Sequence, residues 1–178
     1  MNGLRMNLIG IFLVTLCLAA NTFAADWPTA RGNAARTGAA DNLPGPKSPK
    51  VLWVHEGREQ FIAAPIPAGK DVIVSGLGAF NTASVFALTV DAPQAMRVHW
   101  AKLPPFLKLP TVSAPATVGN QLIFGDGMHQ TDGAALHCLN AATGRLAWRY
   151  AIPGQLVHIE GAPTIAGDKV FFGGGHAG

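Results

Sequence analysis

The sequence is poor in charged residues and in cysteine, and both shortages narrow the classes of protein to which it can belong. Only 13% of the 178 residues are charged, the net charge is +3, and basic residues do not cluster beyond Lys47 to Lys50. No nucleic-acid partner is expected, because such an interface needs a concentrated basic surface. The two cysteines are Cys17 and Cys138. Cys17 lies in a segment that we expect to be removed, so the mature chain cannot form an internal disulfide.

Several motifs that mark enzymes are also missing. The sequence has no Cys-x-x-Cys-His haem site, no adjacent cysteine pair, no Gly-x-Ser-x-Gly turn and no two histidines at metal-ligand spacing. The run Gly173-Gly174-Gly175 lacks the lysine and hydroxyl residue of a phosphate-binding loop. No segment has the apolar spacing of an amphipathic helix. We therefore assign no catalytic residue and no metal ligand from the sequence.

The N-terminus has the organisation of a secretory signal peptide. Arg5 precedes an apolar run from Leu8 to Ala20, and the small residues Thr22 and Ala24 suit a cleavage site after residue 24. The alternative is an uncleaved anchor, but an apolar core of this length is short of the ~20 residues that span a bilayer. We predict that residues 1–24 are removed, that no transmembrane segment remains, and that the protein is exported to the periplasm or the extracellular space.

The rest of the chain is internally repetitive. An Ala-Pro pair followed four residues later by glycine recurs three times with a period near 48 residues, and each glycine precedes an apolar triplet. The pairs are Ala64-Pro65, Ala114-Pro115 and Ala162-Pro163, and the tryptophans that recur with the same period are Trp53, Trp100 and Trp148. We predict a strand at each tryptophan, at each Ala-Pro pair and at each triplet, with a fourth strand between. Four short strands per repeat are typical of a β-propeller blade.

These repeats predict an all-β fold, a β-propeller of four-stranded antiparallel blades that is incomplete. Its repeats span about 51–100, 101–148 and 149–178, so about two and a half blades are present. Residues 25–50 are expected to form an N-terminal lead and a proline-rich linker. Propellers close with four to eight blades and natural folds avoid open strand edges. The sequence is therefore predicted to be an N-terminal fragment of a longer protein.

The segment Leu139–Trp148 resembles the A-L-D-A-x-T-G-x-x-x-W core of the pyrroloquinoline quinone (PQQ)-like repeat. The lead, with Trp27-Pro28, Arg31-Gly32 and Arg36-Thr37-Gly38, resembles the start of exported proteins with this repeat. The resemblance covers about residues 26–178 and implies a propeller like that of quinoprotein dehydrogenases. It also implies that the repeated tryptophans dock against the neighbouring blade. The residues expected in this docking are Trp53, Trp100, Trp148 and Gly144.

The resemblance leaves the function open between two classes. We expect an exported propeller that acts as a binding or scaffold module, with no catalysis in this fragment and with an envelope protein or a polysaccharide as partner. The alternative is the N-terminal part of a PQQ-dependent dehydrogenase, which would bind PQQ and calcium. The adjacent cysteines of the family's alcohol dehydrogenases are missing here, which favours the first class.

The candidate site is a pair of polar side chains, His158 and Glu160, just before the third Ala-Pro pair. Alternation along an extended segment would place both side chains on one face, at the mouth of the axial channel. An imidazole beside a carboxylate suits acid–base or metal chemistry. The alternative is a solvated pair or a hydrogen bond at a blade junction. His129 and His176, in equivalent turns, are expected to be polar turn residues.

Overall fold

The computed structural model describes residues 27–38, 46–129 and 131–175. The predicted signal peptide lies outside these residues, and so does His176. The described part is all-β, as predicted: it contains ten strands, two short 3-10 turns and no α-helix. None of its helical segments is long and apolar enough to cross a membrane.

The strands form two four-stranded antiparallel sheets and one two-stranded sheet. The first sheet contains β1 (Ile66–Ala68), β2 (Asp71–Leu77), β3 (Ala83–Thr89) and β4 (Val98–Lys102). The second sheet contains β5 (Ala116–Val118), β6 (Gln121–Gly125), β7 (Leu136–Asn140) and β8 (Leu146–Tyr150). The third sheet contains β9 (Thr164–Ala166) and β10 (Lys169–Phe171). In each four-stranded sheet the spatial order of the strands follows the chain, which confirms the predicted blade.

The repeated residues explain why each sheet begins in the same way. Each Ala-Pro pair lies just before the first strand of its sheet, where a residue without an N–H donor costs no ladder hydrogen bond. The glycine that follows has a left-handed backbone, with φ of +61° at Gly69, +54° at Gly119 and +61° at Gly167. A side chain disfavours that conformation, so glycine sets the hairpin turn into the second strand. The first two apolar triplets then fall on β2 and β6, and the third begins on β10 and ends one residue after it.

The sheets pack face to face. One face of the first sheet, including Ile73 and Val85, packs against Leu122 and Phe124 of the second sheet, and all four side chains are fully buried. The opposite face of the second sheet packs on the segment before β9 and on the third sheet. The residues of that second cluster include Ile123, Cys138, Leu156, Ile159, Ile165 and Val170. Stacked antiparallel sheets of this kind are the blades of a propeller.

The prediction of a strand at Trp53 is wrong. Residues 51–59 form no strand, and the only pairing nearby is an isolated bridge between Gln60 and Leu77. Val51 and Leu52 are 82% and 80% exposed. Within the described part of the chain no strand pairs with residues 51–59, so their β-forming side chains have no ladder to join.

The described part of the lead, residues 27–38, is anchored to the first strands of two sheets. The Thr117 N–H on β5 donates to the Pro28 carbonyl oxygen at 2.6 Å. The Arg36 guanidinium donates to the carbonyl oxygen of Ala162 at 2.6 Å and to the hydroxyl of Thr164 at 3.0 Å. The lead is thus an integral part of the fold and ties the second sheet to the third.

Candidate functional site

Trp100, on β4, docks against the second sheet. Its indole Nε1 donates a hydrogen bond of 2.8 Å to the carbonyl oxygen of Ala141. Its ring lies against Gly144, where a Cβ atom would come within 2.8 Å of the ring carbon Cδ2. Gly144 also has φ of +66°. The position therefore favours glycine for two reasons, the backbone conformation and the close approach of the indole.

Trp53 meets the corresponding turn of the first sheet, just before β4. There the Arg97 guanidinium lies 4.3 Å from the centre of the Trp53 ring, a cation–π contact. Arg97 is buried, and its guanidinium donates to the carbonyl oxygens of Thr89, Val90 and Ala92 at 2.9, 2.7 and 2.5 Å. One arginine therefore holds the turn in shape and provides the surface on which the tryptophan packs.

Trp148, on β8, has no such neighbour among the described residues. Its side chain is 37% exposed, and its indole makes no hydrogen bond to the described part of the chain. No described residue occupies, relative to Trp148, the position that Ala141 and Gly144 occupy relative to Trp100. Docking of Trp148 against a further blade therefore stays a prediction.

The backbone of His158 belongs to a pattern shared by all three repeats. Its carbonyl oxygen accepts a hydrogen bond of 2.8 Å from the Gly175 N–H. The equivalent bonds are Gly127 N–H to Pro110 at 2.8 Å and Leu77 N–H to Gln60 at 3.0 Å. The main chain at His158 thus serves the fold, and only its side chain is particular to the third repeat.

The structure does not join His158 and Glu160. The His158 ring is half-buried, packs over Gly175 and lies 6.4 Å from the His129 ring. Glu160 is exposed, and among the described residues no hydrogen bond or ion pair connects it with His158. A role of the pair at a channel mouth stays a prediction.

A groove of about 710 Å³ lies where the first strands of the sheets approach one another. We call it the inner-strand groove. Its walls include the hairpin turns Gly69–Lys70 and Gly119–Asn120, the lead residues Pro28–Thr29, and Ile165 of β9. The groove is bounded mainly by small side chains and backbone, so it has room for an extended chain or a small polar molecule.

One wall of the inner-strand groove carries an acid–imidazole pair. Asp71, at the start of β2, is buried, and its Oδ2 lies 2.7 Å from Nδ1 of His99 on β4. Its Oδ1 accepts a hydrogen bond of 2.6 Å from the Thr89 hydroxyl. Both carboxylate oxygens thus have partners within the first sheet. The His99 side chain is 33% exposed and borders the groove.

A second acid–imidazole pair is enclosed in the second sheet. Asp126 Oδ2 lies 2.8 Å from His137 Nε2, and Asp126 Oδ1 accepts from the Ala135 N–H at 2.5 Å. The two residues are 2% and 3% exposed, and the His137 ring stacks on Phe124 with centroids 5.3 Å apart. This pair has no route to a ligand, so we assign it a structural role in the Gly125–Gly127 turn.

The Cys138 thiol is not placed for reaction. Cys138 is buried, and burial raises the pKa of its thiol, which disfavours the reactive thiolate.

Across residues 27–38, 46–129 and 131–175, no three His, Cys, Asp or Glu side chains gather as metal ligands would. The two buried carboxylates lie in different sheets and are bonded within them. The described residues therefore do not fit a calcium and quinone site by themselves.

Comparison with known families agrees with this architecture. A model of the PQQ-like repeat, described as outer membrane protein assembly factor BamB, matches residues 45–175. That match covers well over half of the chain. The chain belongs to the PQQ-like repeat family. No curated protein matches the sequence.

Among solved structures, the PQQ-like repeat chain is similar to a europium-containing methanol dehydrogenase. The TM-score is 0.59 and the sequence identity is 17%. The alignment covers 85% of this chain and 28% of the dehydrogenase chain. At this identity the likeness establishes the propeller fold and carries no inference about activity.

The Asp71–His99 pair escaped the sequence interpretation because its members are 28 residues apart in the chain. The sequence of this PQQ-like repeat chain nevertheless distinguishes both residues from their equivalents in the other repeats. By strand register Asp71 corresponds to Gln121 in the second sheet and Lys169 in the third, and His99 corresponds to Ala147. Comparing the repeats position by position would therefore have marked both residues as departures from the pattern.

Proposed function

We propose that this chain is part of an exported propeller that binds a partner and performs no chemistry with the residues described. The observation that supports this proposal most directly is the inner-strand groove, an accessible concavity whose wall presents an oriented imidazole. Concave sites with a few placed polar groups are where proteins most often bind ligands. The buried carboxylates Asp71 and Asp126 are bonded within their own sheets, which suits positioning better than catalysis.

The family match supports a protein as the partner. The model that matches this chain is described as an outer membrane assembly factor, and an assembly factor acts by contacting other proteins. Together with the predicted signal peptide over residues 1–24, this supports a protein of the cell envelope as partner. The periplasm is the compartment that fits both features best.

Quinone binding provides a test that can refute this function. The full-length protein, purified from its natural compartment, is titrated with PQQ in the presence of Ca²⁺ while quinone absorbance is followed. Dye-linked alcohol oxidation is measured in parallel. We expect no saturable binding and no oxidation above the protein-free control. Saturable binding at micromolar PQQ together with substrate oxidation would refute the binding-module function and establish the PQQ-dependent dehydrogenase instead.

A further inference from the structure

The Asp71–His99 pair is an addition to a fold that forms without it. The second and third sheets make the same hairpin with Gln121 and Lys169 at the position of Asp71. The second sheet has Ala147 at the position of His99. A buried carboxylate carries a desolvation cost that these equivalents avoid. The pair is therefore explained better by what it presents to the inner-strand groove than by the needs of the blade.

The hydrogen bonds of Asp71 fix the tautomer of His99. The carboxylate only accepts hydrogen bonds, so the Thr89 hydroxyl donates to Oδ1 and His99 Nδ1–H donates to Oδ2. With its proton on Nδ1, a neutral His99 keeps a lone pair on Nε2. Nε2 has no partner among the described residues and is not enclosed. His99 thus offers the groove an oriented hydrogen-bond acceptor.

The lining of the groove argues against a carbohydrate. Sugar sites rely on aromatic side chains as stacking surfaces, and none of the described residues that line the groove is Phe, Tyr or Trp. Prolines, alanines and glycines predominate instead, with the backbone of β1 and β5 between them. Such a surface suits the backbone and small side chains of an extended peptide.

Part of the protein's own lead already lies against this groove. Pro28 and Thr29 lie along the wall, and the Pro28 carbonyl oxygen accepts from the Thr117 N–H of β5. The rest of the groove, beside β1, continues this interface. The residue of β1 equivalent to Thr117 is Pro67, which has no N–H to donate. A peptide beside β1 must therefore find its polar contact elsewhere, and His99 borders the groove on that side.

We propose that the inner-strand groove binds an extended peptide of a partner protein and that a serine or threonine hydroxyl of that peptide donates to Nε2 of His99. Asp71 positions the imidazole for this contact and does not touch the peptide. The proposal rests on the binding function proposed above and names its partner chemistry. A hydroxyl donor fits because the fixed tautomer presents a lone pair, and a small side chain suits a lining in which Pro, Ala and Gly predominate.

The probe is a fluorescein-labelled capped peptide, Ala-Pro-Ser-Ala-Pro, compared with the same peptide carrying alanine in place of serine. Binding to the full-length protein is measured by fluorescence anisotropy at pH 8. We expect the serine peptide to bind and the alanine peptide to bind about fivefold or more weakly, as one hydrogen bond allows. Equal affinities, or no binding of either peptide at millimolar concentration, would overturn the proposal.

His99→Phe is the decisive variant because it removes the Nε2 acceptor and keeps a flat ring. A serine hydroxyl can both donate and accept, so only the loss of the imidazole nitrogen removes the contact in every tautomer. We expect the preference for the serine peptide to disappear, and the urea unfolding midpoint shows whether the variant is folded. In the unsubstituted protein, the ¹⁵N shift of His99 Nε2 should move on addition of the serine peptide and not of the alanine peptide. His129→Ala, outside the groove, is the matched control and should retain the preference.

The results of these experiments distinguish failure of the peptide proposal from failure of the proposed binding function. If a folded His99→Phe variant keeps the serine preference, or the ¹⁵N shift of His99 Nε2 does not respond to the serine peptide, His99 is not the acceptor and the peptide proposal is wrong. That result leaves the binding-module function intact, because a partner could bind on another surface. Saturable PQQ binding with substrate oxidation refutes the function whatever the peptide result.

Discussion

Trp100 in the first sheet donates its indole N–H to the carbonyl oxygen of Ala141 in the second sheet, across 2.8 Å. The same indole lies against Gly144. One side chain thus combines a directed bond with close packing at the boundary between two blades. The stability of the boundary between the first and second sheets should therefore depend strongly on Trp100.

Trp100→Ala is expected to lower the free energy of unfolding by about 3–5 kcal/mol, because it removes a large side chain from a packed boundary and leaves a buried carbonyl without a donor. Met96→Ala is the control. Met96 is 72% exposed, and its replacement should cost less than about 1 kcal/mol. Urea unfolding of both variants measures the difference. Equal losses would show that the boundary does not depend on Trp100.

Gly144→Ala should destabilise the fold by about 2–5 kcal/mol, since it combines a left-handed backbone with a clash against the Trp100 ring. Gly119→Ala isolates the backbone contribution, because Gly119 has a similar φ and a methyl group added there would meet no atom within 4 Å. That control should lose about 1–2 kcal/mol. Thermal and urea unfolding would compare them. A smaller loss at Gly144 than at Gly119 would contradict the close approach of the indole.

Arg97→Lys is expected to cost about 2–3 kcal/mol, although the charge is kept. A lysine ammonium cannot reach the three carbonyl oxygens that the guanidinium bonds together, and it loses the flat contact with Trp53. Arg149→Lys, at an exposed position on β8, should be nearly neutral. Tryptophan fluorescence during urea unfolding provides the readout. A neutral Arg97→Lys would mean that the turn holds its shape without the arginine.

The Cys138 thiol should be nearly unreactive in the folded protein. Burial raises its pKa and blocks access, so the thiol form, with no nucleophilic thiolate, prevails at pH 8. With a thiol reagent such as DTNB, we expect no modification within minutes under native conditions and full modification in concentrated guanidinium chloride. The mature protein without Cys17 is used for the assay. Rapid native labelling would place Cys138 on the surface.

The repeat made the blades predictable from sequence because each of its recurring residues has a local physical role. Proline suits the start of a strand, a left-handed glycine turns the hairpin, and an apolar triplet favours the strand that follows. Trp53 shows the limit of this reasoning. It carries the repeat's tryptophan, but the strand predicted around it needs a neighbour that the described residues do not supply. Whether residues 51–59 form a strand therefore depends on a pairing partner and not on their β propensity alone.

The candidate site was less predictable. His158 and Glu160 were close in sequence and looked like a pair, but the structure leaves Glu160 exposed and places His158 near His129. Asp71 and His99 are far apart in sequence and meet only because β2, β3 and β4 align their ends. Pairing across a sheet depends on strand register, which local sequence does not determine.

Site-specific photocross-linking tests the binding function most directly. A benzophenone amino acid replaces Lys70 in the wall of the inner-strand groove, and in a control it replaces Asp132, which is exposed and outside the groove. Both variants are irradiated in the producing cells, and adducts are identified by mass spectrometry. We predict one discrete adduct with an envelope protein from position 70, joined through a serine- or threonine-containing extended segment, and none from position 132. Identical patterns from both positions, or no adduct from position 70, would contradict a groove that binds a partner.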